Sequence, residues 1–182
     1  MKKAAFLDRD GVINKKAPGN GYITRSQDFQ LLPGAVESIK LLNQAGFLVI
    51  VVTNQRGIAT GLLSGEALAQ IHAKMSTELA ADGAHLDAIY FCPHEIEPPC
   101  TCRKPAPGML LTAATEFHID LHNCWMIGDS ESDREAGRRA GCRTITIAPQ
   151  PLPATNNSDL FADSLLGAVK IILSLAEVSK SS

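Results

Sequence analysis

The sequence carries four polar clusters, each standing just beyond an apolar run. Asp8-Arg9-Asp10-Gly11 follows Ala4–Leu7, and Thr53-Asn54-Gln55-Arg56-Gly57 follows residues 47–52. Gly128-Asp129-Ser130-Glu131-Ser132-Asp133 follows residues 125–127, and Arg103-Lys104-Pro105 comes after residues 88–91 and a cysteine-rich stretch. Pooled, these clusters supply two close carboxylates, a third carboxylate, a hydroxyl, amides and a lysine. Phosphoryl transfer needs such a set: hard oxygen ligands hold Mg²⁺, while the metal and a lysine neutralise phosphate charge. A carboxylate can then act as the nucleophile. Taken singly, each cluster has a plain structural reason to exist. Asp-x-Asp satisfies backbone amides in a turn, Thr-Asn ends a strand, and Gly-Asp-Ser caps a helix. Their joint occurrence, each after an apolar run, is what points to chemistry.

A second set is local. Cys92-Pro93-His94 and Cys100-Thr101-Cys102 place three thiols and an imidazole within eleven residues. These are the ligands of a tetrahedral Zn²⁺ site, and with all four positions filled the site is closed and structural. Two alternatives compete with zinc. Free cysteines pack as small apolar groups, and Cys100 with Cys102 could form a redox pair, for which a one-residue spacer is an awkward geometry. The interspersed Pro93, Glu95, Glu97, Pro98 and Pro99 give loop composition, which favours zinc. Metal binding would then fix the backbone just before Arg103 and Lys104, where no hydrophobic packing is available. Cys124 and Cys142 are expected in the core.

The elements that must position these groups follow from periodicity. Ala4–Leu7 is a short buried-strand candidate, and the continuous apolar run over 47–52 suits a strand covered on both faces. Residues 88–91, 125–127 and 144–147 give three further strands. Helices are expected after Pro33-Gly34, with Gly46 closing the first; after Ser64, with Leu68, Ile71, Met75 and Leu79 on one face; after Pro107-Gly108; over 133–140, stopped by Gly141; and over 165–175. The alternation implies an α/β fold, a Rossmann-like parallel sheet between helices. In such sheets ligands bind outside the carboxyl ends of the strands, where the four clusters stand. Two long non-helical stretches, 14–32 and 92–107, are candidates for function. Residues 149–158 read as a proline-rich loop and 178–182 as a frayed tail.

Length and charge exclude much. The 182 residues fit one domain over 1–182 with a zinc loop at 92–102, and nothing in the sequence demands more than a monomer. The net charge of −2 leaves no basic excess for nucleic acid or an anionic membrane. No apolar run approaches a membrane span, and the N-terminal apolar stretch is too short for a secretory h-region, so a cytoplasmic location is expected. His72, His85, His118 and His122 have no spaced partner and are expected at the surface or in caps.

The four clusters together resemble the motifs of the haloacid dehalogenase superfamily. Phe6-Leu7-Asp8-Arg9-Asp10-Gly11-Val12 is similar to its first motif, Val52-Thr53-Asn54 to the second, Lys104-Pro105 to the third, and Gly128-Asp129 with Asp133 to the fourth. The resemblance implies that Asp8 attacks phosphorus and becomes an aspartyl-phosphate. It implies that Asp10 protonates the leaving oxygen and later activates water. It further implies that the Asp8 carboxylate, the Asp10 backbone carbonyl and Asp129 hold Mg²⁺, that Thr53, Asn54 and Lys104 bind the transferring phosphate, and that Asp133 supports the site.

The cysteine loop narrows the resemblance. Tyr90-Phe91-Cys92-Pro93-His94, Cys100-Thr101-Cys102-Arg103-Lys104-Pro105, Gly21-Tyr22 and Val52-Thr53-Asn54-Gln55 are similar to a subgroup with a minimal cap. Its members are D-glycero-D-manno-heptose 1,7-bisphosphate phosphatases and histidinol-phosphate phosphatases. This implies a small sugar phosphate as substrate, bound in part by Gly21, Tyr22, Gln55 and Arg103, with Zn²⁺ in the loop beside the Mg²⁺. Arg56, Thr60 and Ser130 depart from the heptose pattern. They bear on substrate choice and leave the chemistry at Asp8 untouched. Two rivals lie outside this class: a binding module on an inactive phosphatase fold, opposed by the intact Asp8, Asp10, Lys104 and Asp129, and a nucleic-acid end-repair phosphatase, opposed by the charge.

Overall fold

A computed structural model of the chain describes residues 1–148 and 160–178. Six strands form one parallel sheet: β1 (Ala4–Leu7), β2 (Leu48–Asn54), β3 (Ala88–Cys92), β4 (Trp125–Gly128), β5 (Arg143–Ile147) and β6 (Leu160–Ala162), in the spatial order β3-β2-β1-β4-β5-β6. Five helices lie between or after them: α1 (Ala35–Gln44), α2 (Gly65–Ala81), α3 (Gly108–Phe117), α4 (Glu131–Ala140) and α5 (Leu165–Val178). Successive crossovers move outward from β1 to β2 and β3, then return to its other side for β4, β5 and β6. The sheet therefore has a topological switch point between β1 and β4, where such sheets open a ligand crevice.

The central position of β1 explains its composition. Alternate residues face opposite layers: Ala5 and Leu7 join the core under α1, α2 and α5, whereas Ala4 and Phe6 join the core under α3 and α4. A strand covered on both faces must be apolar throughout. The helices are placed by similar logic. On α2 the buried Leu68, Ile71, Met75 and Leu79 recur at helical spacing, and the Ser64 hydroxyl accepts from the Ala67 amide to start the helix. Truncating one of these side chains, Ile71→Ala for instance, would cost about 2–5 kcal/mol through lost burial and the cavity left behind.

The expected five strands and five helices are all present. The structure adds β6, and in the stretch 14–32 two single turns of 3-10 helix, Pro18–Asn20 and Ser26–Asp28. The expected loop at 149–158 lies outside the described residues; of the expected tail at 178–182, Val178 ends α5 and the rest lies outside them. Among the described residues no helix is long and apolar enough to cross a membrane.

Candidate active site

The four clusters meet at the carboxyl edge of the sheet, around a cavity of about 270 Å³ lined by Asp8, Lys104, Asp129 and Asp133 among others. Asp8 sits one residue beyond β1, and its amide extends the ladder by donating to the Ile127 carbonyl at 2.9 Å. Lys104 arrives from the far side of the cysteine loop. Its Nζ lies 2.8 Å from Asp8 Oδ1 and 2.6 Å from Asp133 Oδ1, and it donates to the Val52 carbonyl at 2.7 Å. The ammonium is thus held in a chain, Asp8–Lys104–Asp133, with almost no solvent contact. Its own desolvation works against the charge, but the two carboxylates outweigh it and hold its pKa above the ordinary lysine value.

Burial pushes the Asp8 carboxyl up to about 7, with Asp133 and Asp10 adding repulsion and Lys104 pulling the other way. One lysine shared between two carboxylates therefore does not fully compensate Asp8. A further cation is needed to keep it a free carboxylate, and the donor set for one is present. Oxygens of Asp8, Asp129 and Asp133 lie within 4.8 Å of one another. An all-oxygen carboxylate cluster suits a hard divalent ion such as Mg²⁺. Gly11 permits this closeness: it has φ +89°, and a Cβ there would stand 1.9 Å from Asp129 Oδ2. Burial raises the Asp129 pKa, and Lys16, with Nζ 2.7 Å from its Oδ2, draws it back.

Asp133 does two jobs. It is the third residue of α4, where its Oδ2 accepts from the Ser130 amide at 3.1 Å while the Ser130 hydroxyl accepts from the Asp133 amide. This reciprocal capping box fixes the carboxylate that faces Lys104. The resemblance implies support of the site for Asp133; the structure sets its carboxylate both in the cap of α4 and against Lys104.

Asp10 lines the same cavity as Asp8 but has its own set of partners. Its carboxylate accepts from Arg9 Nη2 at 2.8 Å, from Asn14 Nδ2 at 2.9 Å and from Gln55 Nε2 at 2.9 Å. Arg9 has no exposed surface, and its Nη1 lies 3.2 Å from His72 Nε2. Burial, then the Arg9 charge, lowers the His72 pKa to about 4, so its ring is neutral beside the guanidinium. Arg9 was missed in the sequence, where an arginine between two aspartates reads as solvated. His72, expected at the surface, is half-buried against Arg9 and Phe91.

The remaining expected residues divide. Gly21, Tyr22, Thr53 and Asn54 line the cavity. Asn54 also binds both polar groups of the Lys104 peptide, donating from Nδ2 to its carbonyl and accepting its amide at Oδ1, each at 3.0 Å. Gln55 is fully buried and faces Asp10 and Thr53, not the cavity. Arg103 does not line the cavity either. Arg56 pairs with Glu95 of the cysteine loop, with Nε 3.2 Å from Oε2. Lys16 does line the cavity, and no spacing in the sequence pointed to it.

The cysteine loop closes on itself. Cys92 Sγ lies 3.6 Å from Cys100 Sγ and 3.5 Å from His94 Nδ1, Cys100 and Cys102 sulfurs are 3.5 Å apart, and His94 Nδ1 is 3.2 Å from Cys102 Sγ. These separations are close to the edges of a tetrahedron with metal–sulfur bonds of about 2.3 Å, so the donor set fits Zn²⁺. Burial pushes the Cys92 thiol up, and carries Cys102 to about 12 with its sulfur neighbours adding to the rise. For Cys100 burial also pushes up, but donation from the Arg103 amide and the adjacent thiols prevails and holds it near 6. Three such sulfurs cannot all ionise without a cation between them. Gly108 seats the loop on α3: its amide donates to the Thr101 carbonyl at 3.0 Å, and a Cβ there would lie 2.2 Å from that oxygen. Cys124 and Cys142 are buried in the core, as expected.

Comparison with known proteins gives one answer at three levels. Residues 101–165 match the Hydrolase_like family, described as HAD-hydrolase-like. The D-glycero-beta-D-manno-heptose-1,7-bisphosphate 7-phosphatase of Pasteurella multocida is 37% identical, with all of both chains covered. Its counterpart in Vibrio cholerae is 38% identical over 93% of each chain. The crystal structure of the D,D-heptose 1,7-bisphosphate phosphatase of B. bronchiseptica, complexed with magnesium and phosphate, superimposes with a TM-score of 0.85 at 34% identity, covering 96% of this chain and 99% of that one.

Proposed function

Because the chain belongs to the D-glycero-beta-D-manno-heptose-1,7-bisphosphate 7-phosphatase family of the haloacid-dehalogenase-like hydrolases, we propose that it removes the C7 phosphate of that sugar bisphosphate. The observation that carries the reading is the buried line Asp8–Lys104–Asp133 with Asp129 beside it, at the switch point of the sheet.

Each residue has its own part in the reaction. Asp8 is the nucleophile: one of its oxygens bonds to phosphorus as the bond from phosphorus to the C7 oxygen breaks. Asp10 gives the departing oxygen its proton. Water then attacks the aspartyl-phosphate, Asp10 takes a proton from it, and the bond from Asp8 to phosphorus breaks to free phosphate. Lys104 neutralises charge on the phosphoryl oxygens, and Thr53 and Asn54 border the same space. Every partner of the Asp10 carboxylate is a donor, so the oxygen that carries the proton must first leave the cradle of Arg9, Asn14 and Gln55. Gln55 and Arg9 are positioning residues for Asp10.

Asp8, the Asp10 carbonyl and Asp129 would hold Mg²⁺, which supplies the positive charge that keeps Asp8 ionised and offsets charge on the phosphate. Cys92, His94, Cys100 and Cys102 would hold a structural Zn²⁺. We read the chain as one phosphatase domain that acts as a cytoplasmic monomer.

The test is phosphate release with Mg²⁺ from each anomer of the heptose 1,7-bisphosphate and from histidinol phosphate. Preference for the β anomer is expected. Preference for histidinol phosphate would overturn the substrate and leave Asp8 and Asp10 in their roles. Metal analysis should find about one zinc per chain.

A further inference from the structure

Two lysines line the catalytic cavity among the described residues, and they differ in freedom. Lys104 is buried between two carboxylates. Lys16 is 58% exposed, on the long stretch after β1, and its single ion pair is with Asp129 at 2.7 Å. Its stem crosses Gly11, close enough that a Cβ there would stand 2.5 Å from Lys16 Cε. The adjacent Lys15 faces away and donates to Gln30 at 3.1 Å. The Lys16 ammonium therefore rests on one of the three carboxylates whose oxygens cluster tightly enough to hold a divalent ion. One carboxylate oxygen does not serve two cations at full strength. A partly exposed lysine pair is weak, so a divalent ion prevails when present. The displaced ammonium remains on a flexible stem at the mouth of the cavity.

We propose that Lys16 is a tethered counter-ion of this site: it occupies Asp129 when no divalent cation does, yields Asp129 to that cation, and then holds the phosphate that the reaction leaves on the substrate. This rests on the bisphosphate phosphatase reading.

The test compares wild type, Lys16→Met and Lys15→Met, all freed of Mg²⁺ with zinc retained. Calorimetric titration with MgCl₂ should show roughly threefold tighter binding in Lys16→Met, the size of losing one weak competing pair, and no change in Lys15→Met. In steady-state assays on the heptose bisphosphate, Lys16→Met should raise KM roughly tenfold and change kcat less than about twofold, as lost uniform binding does. Mg²⁺ binding no tighter than wild type would overturn the displacement, and an unchanged KM would overturn the substrate contact. A wild type that binds Mg²⁺ and hydrolyses the substrate normally confines either failure to Lys16. A wild type that does neither sinks the phosphatase reading along with this one.

Discussion

The two candidate ion sites of this molecule are built in opposite ways. The carboxylate site is assembled from residues as distant as Asp8 and Asp133, each at the end of a strand or the first turn of a helix that a large core already fixes. The cysteine loop draws all four of its candidate ligands from eleven consecutive residues and has no core of its own. The first region is a place where a stable fold tolerates electrostatic strain, seen in the raised pKa of Asp8. The second is a place where ligation substitutes for packing. They touch at Lys104, whose peptide Asn54 grips from the sheet side while the loop delivers it from the other. Function at the first region should therefore be separable from folding, whereas structure at the second should not be separable from its metal.

Asp8→Asn gives the sharpest contrast. It should lower kcat by about a thousandfold or more, the scale of losing a covalent nucleophile. Thermal stability should hold or rise, because a buried carboxylate that Lys104 only partly compensates is removed while Lys104 keeps Asp133. A clear fall in Tm would break the comparison. Cys100→Ser, or stripping zinc with a chelator, should reverse the pattern. Amide exchange over 92–106 should accelerate while the sheet stays protected, and kcat should fall about tenfold or more as Lys104 loses its fixed position. Full activity in zinc-free protein would show that Asn54, Asp8, Asp133 and the Val52 carbonyl position Lys104 without the loop's metal.

Gln55→Ala should lower kcat by about tenfold with little change in KM, because Gln55 faces Asp10 and not the cavity. A change in KM alone would return Gln55 to the substrate. His72 should give the smallest effect. Its folded pKa, about 4, lies below its unfolded value, so the unfolded chain binds the extra proton first as pH falls from about 6.5. Stability is lost progressively between those two values and is unaffected above them. In a pH series of Tm, His72→Gln should flatten that part of the wild-type decline.

Much of this was legible in the sequence, and what was not has physical causes. The apolar runs at β1, β2 and β4 are buried on both faces and so read as unbroken hydrophobic strings. β6 spans only Leu160–Ala162, too short for any period to emerge. Asp8, Lys104 and Asp129 could be placed because each follows a strand in a parallel sheet, and strand ends converge. Arg9 and Lys16 could not. Arg9 meets the Asp10 carboxylate, which Asn14 and Gln55 also hold, and His72 of α2, groups brought together only by the tertiary fold. Lys16 sits in a stretch with no periodicity, so nothing local indicates where its side chain lands. Gln55 could be assigned to the site, but not to Asp10, because side-chain direction at a strand terminus is set by tertiary packing.

The amide of Asp8 belongs to the hydrogen-bond ladder between the two innermost strands. Its proton should exchange with solvent only when the sheet itself opens, among the last in the molecule. Asp8 is thus anchored in the part of the chain expected to open last, while Lys16, Tyr22 and the cysteine loop lie outside the sheet. On the proposed roles, partial opening would change recognition long before it displaced Asp8.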